Sequence, residues 1–178
     1  LAGSVNAGTA AISLHGARAA QTIGLGSSPG DLSVTQAEMQ RMSSTGGLLI
    51  GAAASGNMVV NGITADSSNN VGPVVTLLAT ADNSQVSFET NGSTFDALMA
   101  QADNGVLVQA DITTDVGILT LDGDSDDSST TDDHNKISFS GARTLTVKGQ
   151  LTLDATSGGI VRSGSATLTL LAEAGVLI

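Results

Sequence analysis

A three-residue unit, apolar then Ser or Thr then apolar, recurs along the chain. It appears as Ile12-Ser13-Leu14, Leu32-Ser33-Val34, Val75-Thr76-Leu77, Val86-Ser87-Phe88, Leu119-Thr120-Leu121, Ile137-Ser138-Phe139, Leu145-Thr146-Val147, Leu151-Thr152-Leu153 and Leu168-Thr169-Leu170. Strand side chains alternate faces, so each unit sends two apolar groups to one side and one hydroxyl to the other. Leu48-Leu49-Ile50, Met58-Val59-Val60 and Val106-Leu107-Val108 are variants of the same pattern. Gly, Asn, Asp or Ser usually follows within a few residues, which marks turns. The pattern predicts many short strands with their apolar side turned inward.

Spacing between units is irregular, roughly ten to twenty residues, the range of a repeat whose coils stack on one another. A longer echo lies over it, since Leu98 to Val108 (LMAQADNGVLV) resembles Leu168 to Ile178 (LTLLAEAGVLI). These features predict an all-β chain, a right-handed parallel β-helix (β-solenoid) with irregular coils, forming a single segment over residues 1–178. Coils of about twenty residues rising about 4.8 Å each would give about nine coils and a rod of about 43 Å. The competing architecture is an antiparallel sandwich or barrel, but two-residue hairpin turns are scarce, with Asn61-Gly62 and Asn91-Gly92 the clearest.

Two stretches depart from the strand pattern. Thr35-Gln36-Ala37-Glu38 is a capping-box sequence, Met39 and Met42 share a helical face, and Gly46-Gly47 would stop a helix. A short helix of two or three turns near 35–44 is one expectation, and an irregular coil with Met facing the core is the other. Phe95 to Gln101 fits strand and helix periods alike.

Composition narrows the core. The chain has 22 Gly, 3 Phe and no Trp, Tyr or Cys, so small and β-branched residues must fill the interior. Without cysteine there are no disulfides and no thiolate metal sites. A formal charge of −11 and a pI near 4.1 argue against nucleic acid as a partner. No run is long and apolar enough for a helical membrane span. Leu1 opens the chain without Met, and the apolar run Gly175-Val176-Leu177-Ile178 closes it, so both ends read as cut from a longer repeat-containing chain.

Candidate chemistry is sparse. His15 follows a core strand and is expected at a turn facing outward, and His134 sits in an acidic loop. There is no GxSxG elbow and no HExxH motif. The acids are gathered in one loop rather than set at fixed separation on stacked strands, as a glycosidase requires. The chain is therefore expected not to be an enzyme. From Asp122 to Asp133, six aspartates lie among Ser and Thr. Asp122, Asp124 and Asp126 alternate as calcium ligands do, with Asp133 in the place of a last ligand. The sixth and eighth positions of a calcium loop are wrong, however, being Asp127 and Ser129. The stretch is expected to be a surface insertion, and if it holds an ion, that ion is Ca²⁺ on Asp122, Asp124 and Asp126. Lys136, Arg143 and Lys148 follow it and offer neutralisation without metal. Asn91-Gly92-Ser93 is a glycosylation sequon at Asn91. Outward hydroxyls at Ser33, Thr76, Ser87, Thr120, Ser138, Thr146, Thr152 and Thr169 could form an ice-binding ladder, but their spacing is uneven and Thr suits any strand face.

The phrases LTLDA and LTLLA, the turn phrases ATSGGIV and AEAGVLI, and the poverty of aromatics make the chain similar to the repeat regions of filamentous-haemagglutinin-like proteins. The similarity runs from about Asp31 to Ile178. It implies a secreted rod and carries over no catalytic residues. The expected function is a structural component of an extracellular filament, appendage or surface layer. Its partners would be further copies or neighbouring segments of the same chain. The alternative is an adhesin that uses its loops to hold a surface receptor or glycan. Binding surfaces favour Tyr, Trp and Arg, and the first two are absent here.

Overall fold

The computed structural model describes residues 3–127 and 134–178. Every pairing between described strands is parallel, which excludes the antiparallel sandwich. The protein is an all-β chain of parallel sheets, and the units named above are all strands.

The chain passes three faces in turn. The first coil carries β1 (Val5–Asn6), β2 (Ile12–Leu14) and β3 (Ile23–Gly26), after which the chain doubles back to place β4 (Leu32–Val34) outside β3. The helical turn α1 (Gln36–Met39) leads to β5 (Met42–Ser43), β6 (Leu48–Ala52) and β7 (Met58–Asn61). A second turn, α2 (Ala65–Ser68), leads to β8 (Val75–Ala79) and β9 (Val86–Phe88). Two regular coils follow, β10 (Ser93–Phe95), β11 (Leu98–Ala102) and β12 (Val106–Val108), then β13 (Ile112–Thr114), β14 (Leu119–Asp122) and β15 (Ile137–Ser140). The stack finishes with β16 (Arg143–Val147), β17 (Leu151–Asp154), β18 (Ile160–Ser163), β19 (Leu168–Ala172) and β20 (Val176–Leu177).

One 7-stranded sheet runs β2-β6-β8-β11-β14-β17-β20, and a second runs β18-β15-β12-β9-β7-β3-β4. The third face holds β1-β5, a bridge from Ser44 to Val71, and the 4-stranded sheet β10-β13-β16-β19. Seven layers therefore replace the expected nine. The difference comes from longer coils, since Ile12 pairs with Leu48 across the β4 and α1 excursion, and Leu119 pairs with Leu151 across the acidic insertion.

Constant register turns the apolar positions into columns. Ile12, Leu48, Val75, Leu98, Leu119 and Leu151 form one, and Leu25, Val60, Phe88, Val108 and Phe139 another. All of these are buried. Aliphatic groups fill most of these positions, and the two aromatics of the second column, Phe88 and Phe139, lie two layers apart with Val108 between them. Full burial of each such group is worth about 1.5–3 kcal/mol.

Thr35 caps α1 as its sequence predicts, its hydroxyl accepting from the Glu38 N–H while the Glu38 carboxylate accepts from the Thr35 N–H. The helix has one turn rather than two or three. Met39 is buried in it, but Met42 already belongs to β5, because pairing with Val5 draws the chain back into a strand. Phe95 to Gln101 resolves as two strands around the corner at Asp96 and Ala97. The echo between Leu98 and Leu168 does not mark equivalent positions, since β11 and β19 lie on different faces.

Candidate functional site

The acidic stretch begins at a corner. Where Ala102 leads to Val106 and Asp154 leads to Ile160 by short turns, Asp122 leads to Ile137 through the insertion. Asp122 ends β14 half-buried, Asp124 is buried at 2% exposure, and Asp126 is exposed. Asp132 and Asp133 lie outside the described residues. The stretch begins between two strands, but Asp122 and Asp124 are folded into the stack rather than set on the surface as a surface insertion would have them, and residues 128–133 lie outside the described residues.

What holds these aspartates is the neighbouring coils. Gln101 Nε2 donates to Asp122 Oδ2 at 3.1 Å from the coil before. The Asp124 N–H donates to Asp122 Oδ1 at 3.2 Å, and Asp124 Oδ2 accepts from the Ser157 N–H at 2.7 Å. Thr156 Oγ1 donates to Asp127 Oδ1 at 2.6 Å. Asp124 Oδ1 has no hydrogen-bond partner among the described residues. Burial raises the Asp122 carboxyl above the usual carboxylate range against the Gln101 and Asp124 hydrogen bonds, and the charges of Asp154 and Asp127 add to the rise. Asp154 is in direct register with Asp122, a neighbour that the composition of the insertion does not reveal. The signal was present as the tetrapeptide Leu-Thr-Leu-Asp, which occurs at 119–122 and again at 151–154. Among the described residues, no three His, Cys, Asp or Glu side chains are gathered as a metal ion would require.

The other corner groups serve the stack. Asn104 Oδ1 accepts from the His134 and Asn135 N–H groups at 2.9 and 3.3 Å, and Gln85 Nε2 donates to the Asn104 carbonyl at 2.9 Å. His134 is exposed there, and His15 sits exposed after β2, with Nδ1 2.9 Å from the Gly16 carbonyl oxygen. Asn91 is exposed, but its Nδ2 donates to Asn61 Oδ1 at 2.9 Å, and the sequon's Ser93 is buried with its hydroxyl accepting from the Ile63 N–H. The two Asn-Gly pairs are therefore stacked corners rather than hairpin turns. The outward hydroxyls fall on three faces and their columns are interrupted, Thr76 and Thr120 by Met99, and Ser87 and Ser138 by Leu107. A continuous hydroxyl column does occur at Thr94, Thr113 and Thr146, on the third face.

Two surfaces remain as places for a partner. A shallow groove of about 600 Å³ runs along the third face, lined by Thr113, Thr146, Leu171 and the Lys148–Glu173 ion pair, whose atoms are 2.6 Å apart. The second surface is the C-terminal end of the stack. Here the columns stop uncovered, leaving Leu171, Val176, Leu177 and Ile178 at 52%, 45%, 54% and 77% exposure. Arg162 stands in register with Phe139 at this end, and it too is exposed.

No helix among the described residues is long and apolar enough to cross a membrane. No protein-family model, curated protein or solved structure matches the chain.

Proposed function

We propose that the chain is a structural unit of an extracellular filament, appendage or surface layer, a right-handed solenoid segment whose coils supply the shaft. The observation that carries this reading is the run of apolar columns in constant register through seven layers. Such a stack lengthens by adding layers, because each coil covers the edge strands and apolar side chains of the one before. The right hand follows from the strong preference of parallel crossovers. The resemblance to filamentous-haemagglutinin-like repeats supports the same reading and an extracellular location. Several corner side chains, among them Asn61, Asn104 and Asp124, tie one coil to the next. Electron microscopy of the native material tests it, with continuous filaments expected.

A second reading, an adhesin, draws on the groove beside Leu171 and the Lys148–Glu173 pair. Isolated tips or monomers in the micrographs, together with binding to a panel of glycans, would favour that alternative.

A further inference from the structure

Three Asn-Gly dipeptides occur in the chain, Asn61-Gly62, Asn91-Gly92 and Asn104-Gly105. Such a pair is chemically labile, because glycine has no Cβ and lets its backbone nitrogen approach the carbonyl carbon of the preceding amide side chain. The fold places the three in different situations. Asn104 is buried, and its Oδ1 accepts from the His134 and Asn135 N–H groups, so that side chain is pinned away from water. Asn61 is half-buried, and the Gly62 nitrogen is engaged, its N–H donating to the Asn91 carbonyl at 3.3 Å. Asn91 and Gly92 are both exposed, and among the described residues the Gly92 N–H donates no hydrogen bond. One bond, from Asn91 Nδ2 to Asn61 Oδ1, holds the Asn91 amide.

We propose that Asn91 is a site of spontaneous deamidation, a modification that turns a tie between two coils into a charged break. The Gly92 nitrogen loses its proton to hydroxide and attacks Asn91 Cγ. The new N–Cγ bond closes a five-membered succinimide ring, and the Cγ–Nδ2 bond breaks to release ammonia. Water then adds to one of the two ring carbonyls. Opening at Cγ leaves aspartate, and opening at the backbone carbonyl leaves isoaspartate, with the main chain rerouted through Cβ and Cγ. One water is consumed and one ammonia released, and neither an oxidant nor a second protein takes part. This chemistry needs only the folded coil, so it stands apart from the filament reading.

Both products undo contacts with the coil before. Asn91 Nδ2 donates to Asn61 Oδ1 at 2.9 Å, and a carboxylate in its place has no proton to give, so two acceptors face each other. In the isoaspartyl product, the carbonyl that accepts from the Gly62 N–H leaves the main chain and becomes a free carboxylate. The main chain is then longer by one atom just before β10, where the Ser93 hydroxyl accepts from the Ile63 N–H at 3.2 Å. A negative charge is also added to a chain that already carries −11. A glycan on the sequon would use the same amide nitrogen and so block the reaction.

Peptide mapping by mass spectrometry tests the assignment on the intact chain, held in mildly alkaline buffer and sampled over weeks. Asn91 should deamidate at least tenfold faster than Asn61 or Asn104, with isoaspartate detected at position 91 by enzymatic methylation. In denaturant the fold no longer distinguishes the three sites, and their rates should draw together. An Asn91 rate no faster than that of Asn61 in the folded chain, or a preference for Asn91 undiminished in denaturant, would overturn the proposal. The structural consequence is read separately from Asn91→Asp, which should lower the melting temperature by about 2–4 °C for the lost tie. A melting temperature equal to that of the unsubstituted chain would overturn the claim that deamidation breaks the corner.

Discussion

Asp122 and Asp154 occupy the same position in successive coils, paired in register at the ends of β14 and β17, and both carry a carboxylate. Like charges directly opposite on parallel neighbours repel, by roughly 0.2–1 kcal/mol in sheets generally. Asp122 is half-buried and bears most of the consequence, its carboxyl raised first by burial and then by its acidic neighbours.

That relationship fixes a pH dependence. A carboxyl whose folded value lies above its unfolded value holds its proton more tightly in the native state. Its contribution is greatest below the ordinary carboxylate value and is lost as pH rises through the folded value. Asp122→Asn should therefore gain roughly 0.2–1 kcal/mol at neutral pH and low salt, and nothing at pH 3. Urea melts of both proteins from pH 3 to 7 check this, and parallel profiles would show that Asp122 is not the group responsible.

Calcium is tested at the same corner. Asp122 and Asp124 are folded into the stack, Asp126 is at the surface, and the three are not gathered around one point. Titration with Ca²⁺ should therefore give the same heat from the protein and from a variant with Asn at all three positions, whereas heat lost in the variant would restore the calcium reading. Equal heats from both proteins would leave the corner as a solvated spacer and remove calcium from the account.

The columns predict where the chain is intolerant. Phe139→Ala should cost about 3–5 kcal/mol, and Leu121→Asp should prevent folding by burying an unpaired charge. Val161, outward on the coil after Phe139, should accept Thr with little change. Thermal melts followed by circular dichroism rank the three, and a mild Leu121→Asp would mean the columns do not carry the stability.

Two glycines separate collision from backbone strain. Gly51 has φ +93 and a Cβ there would lie 2.1 Å from the Leu78 carbonyl oxygen, whereas Gly159 has φ +68 and open space around it. Gly159→Ala should cost about 1–2 kcal/mol for the left-handed backbone alone. Gly51→Ala should cost clearly more, because a coil-to-coil contact must also move. Similar melting shifts for both would show that the layers can part easily.

Much of the fold was legible because one physical rule governs it. Ile12-Ser13-Leu14 and its relatives alternate with period two, and in a stack of parallel strands that alternation alone separates core from surface. Thr35 and Glu38 announced their cap for an equally local reason. What escaped was non-local. Whether Met42 continues a helix depends on Val5, which lies far back in the chain, and the Asp122 environment depends on Asp154 in the next coil. The acidic insertion could be located from its composition, but the tie from Asp124 to the Ser157 backbone required the register to be known.

The insertion has a consequence for how the chain acquires its structure. Apart from β4, which pairs with β3 of its own coil, each strand pairs with one a single coil away, so a growing stack offers a template to which the next coil adds, and the separation between partners does not increase with the length of the rod. Gln101 and Asp122 show the ordinary span, with |i−j| = 21. Closing the longer loop from Leu119 to Leu151 costs less than about 0.6 kcal/mol extra, since closure entropy grows only with the logarithm of length. Propagation should therefore pass that coil almost unslowed, which leaves the corner free to vary in length while the growth of the rod proceeds as before.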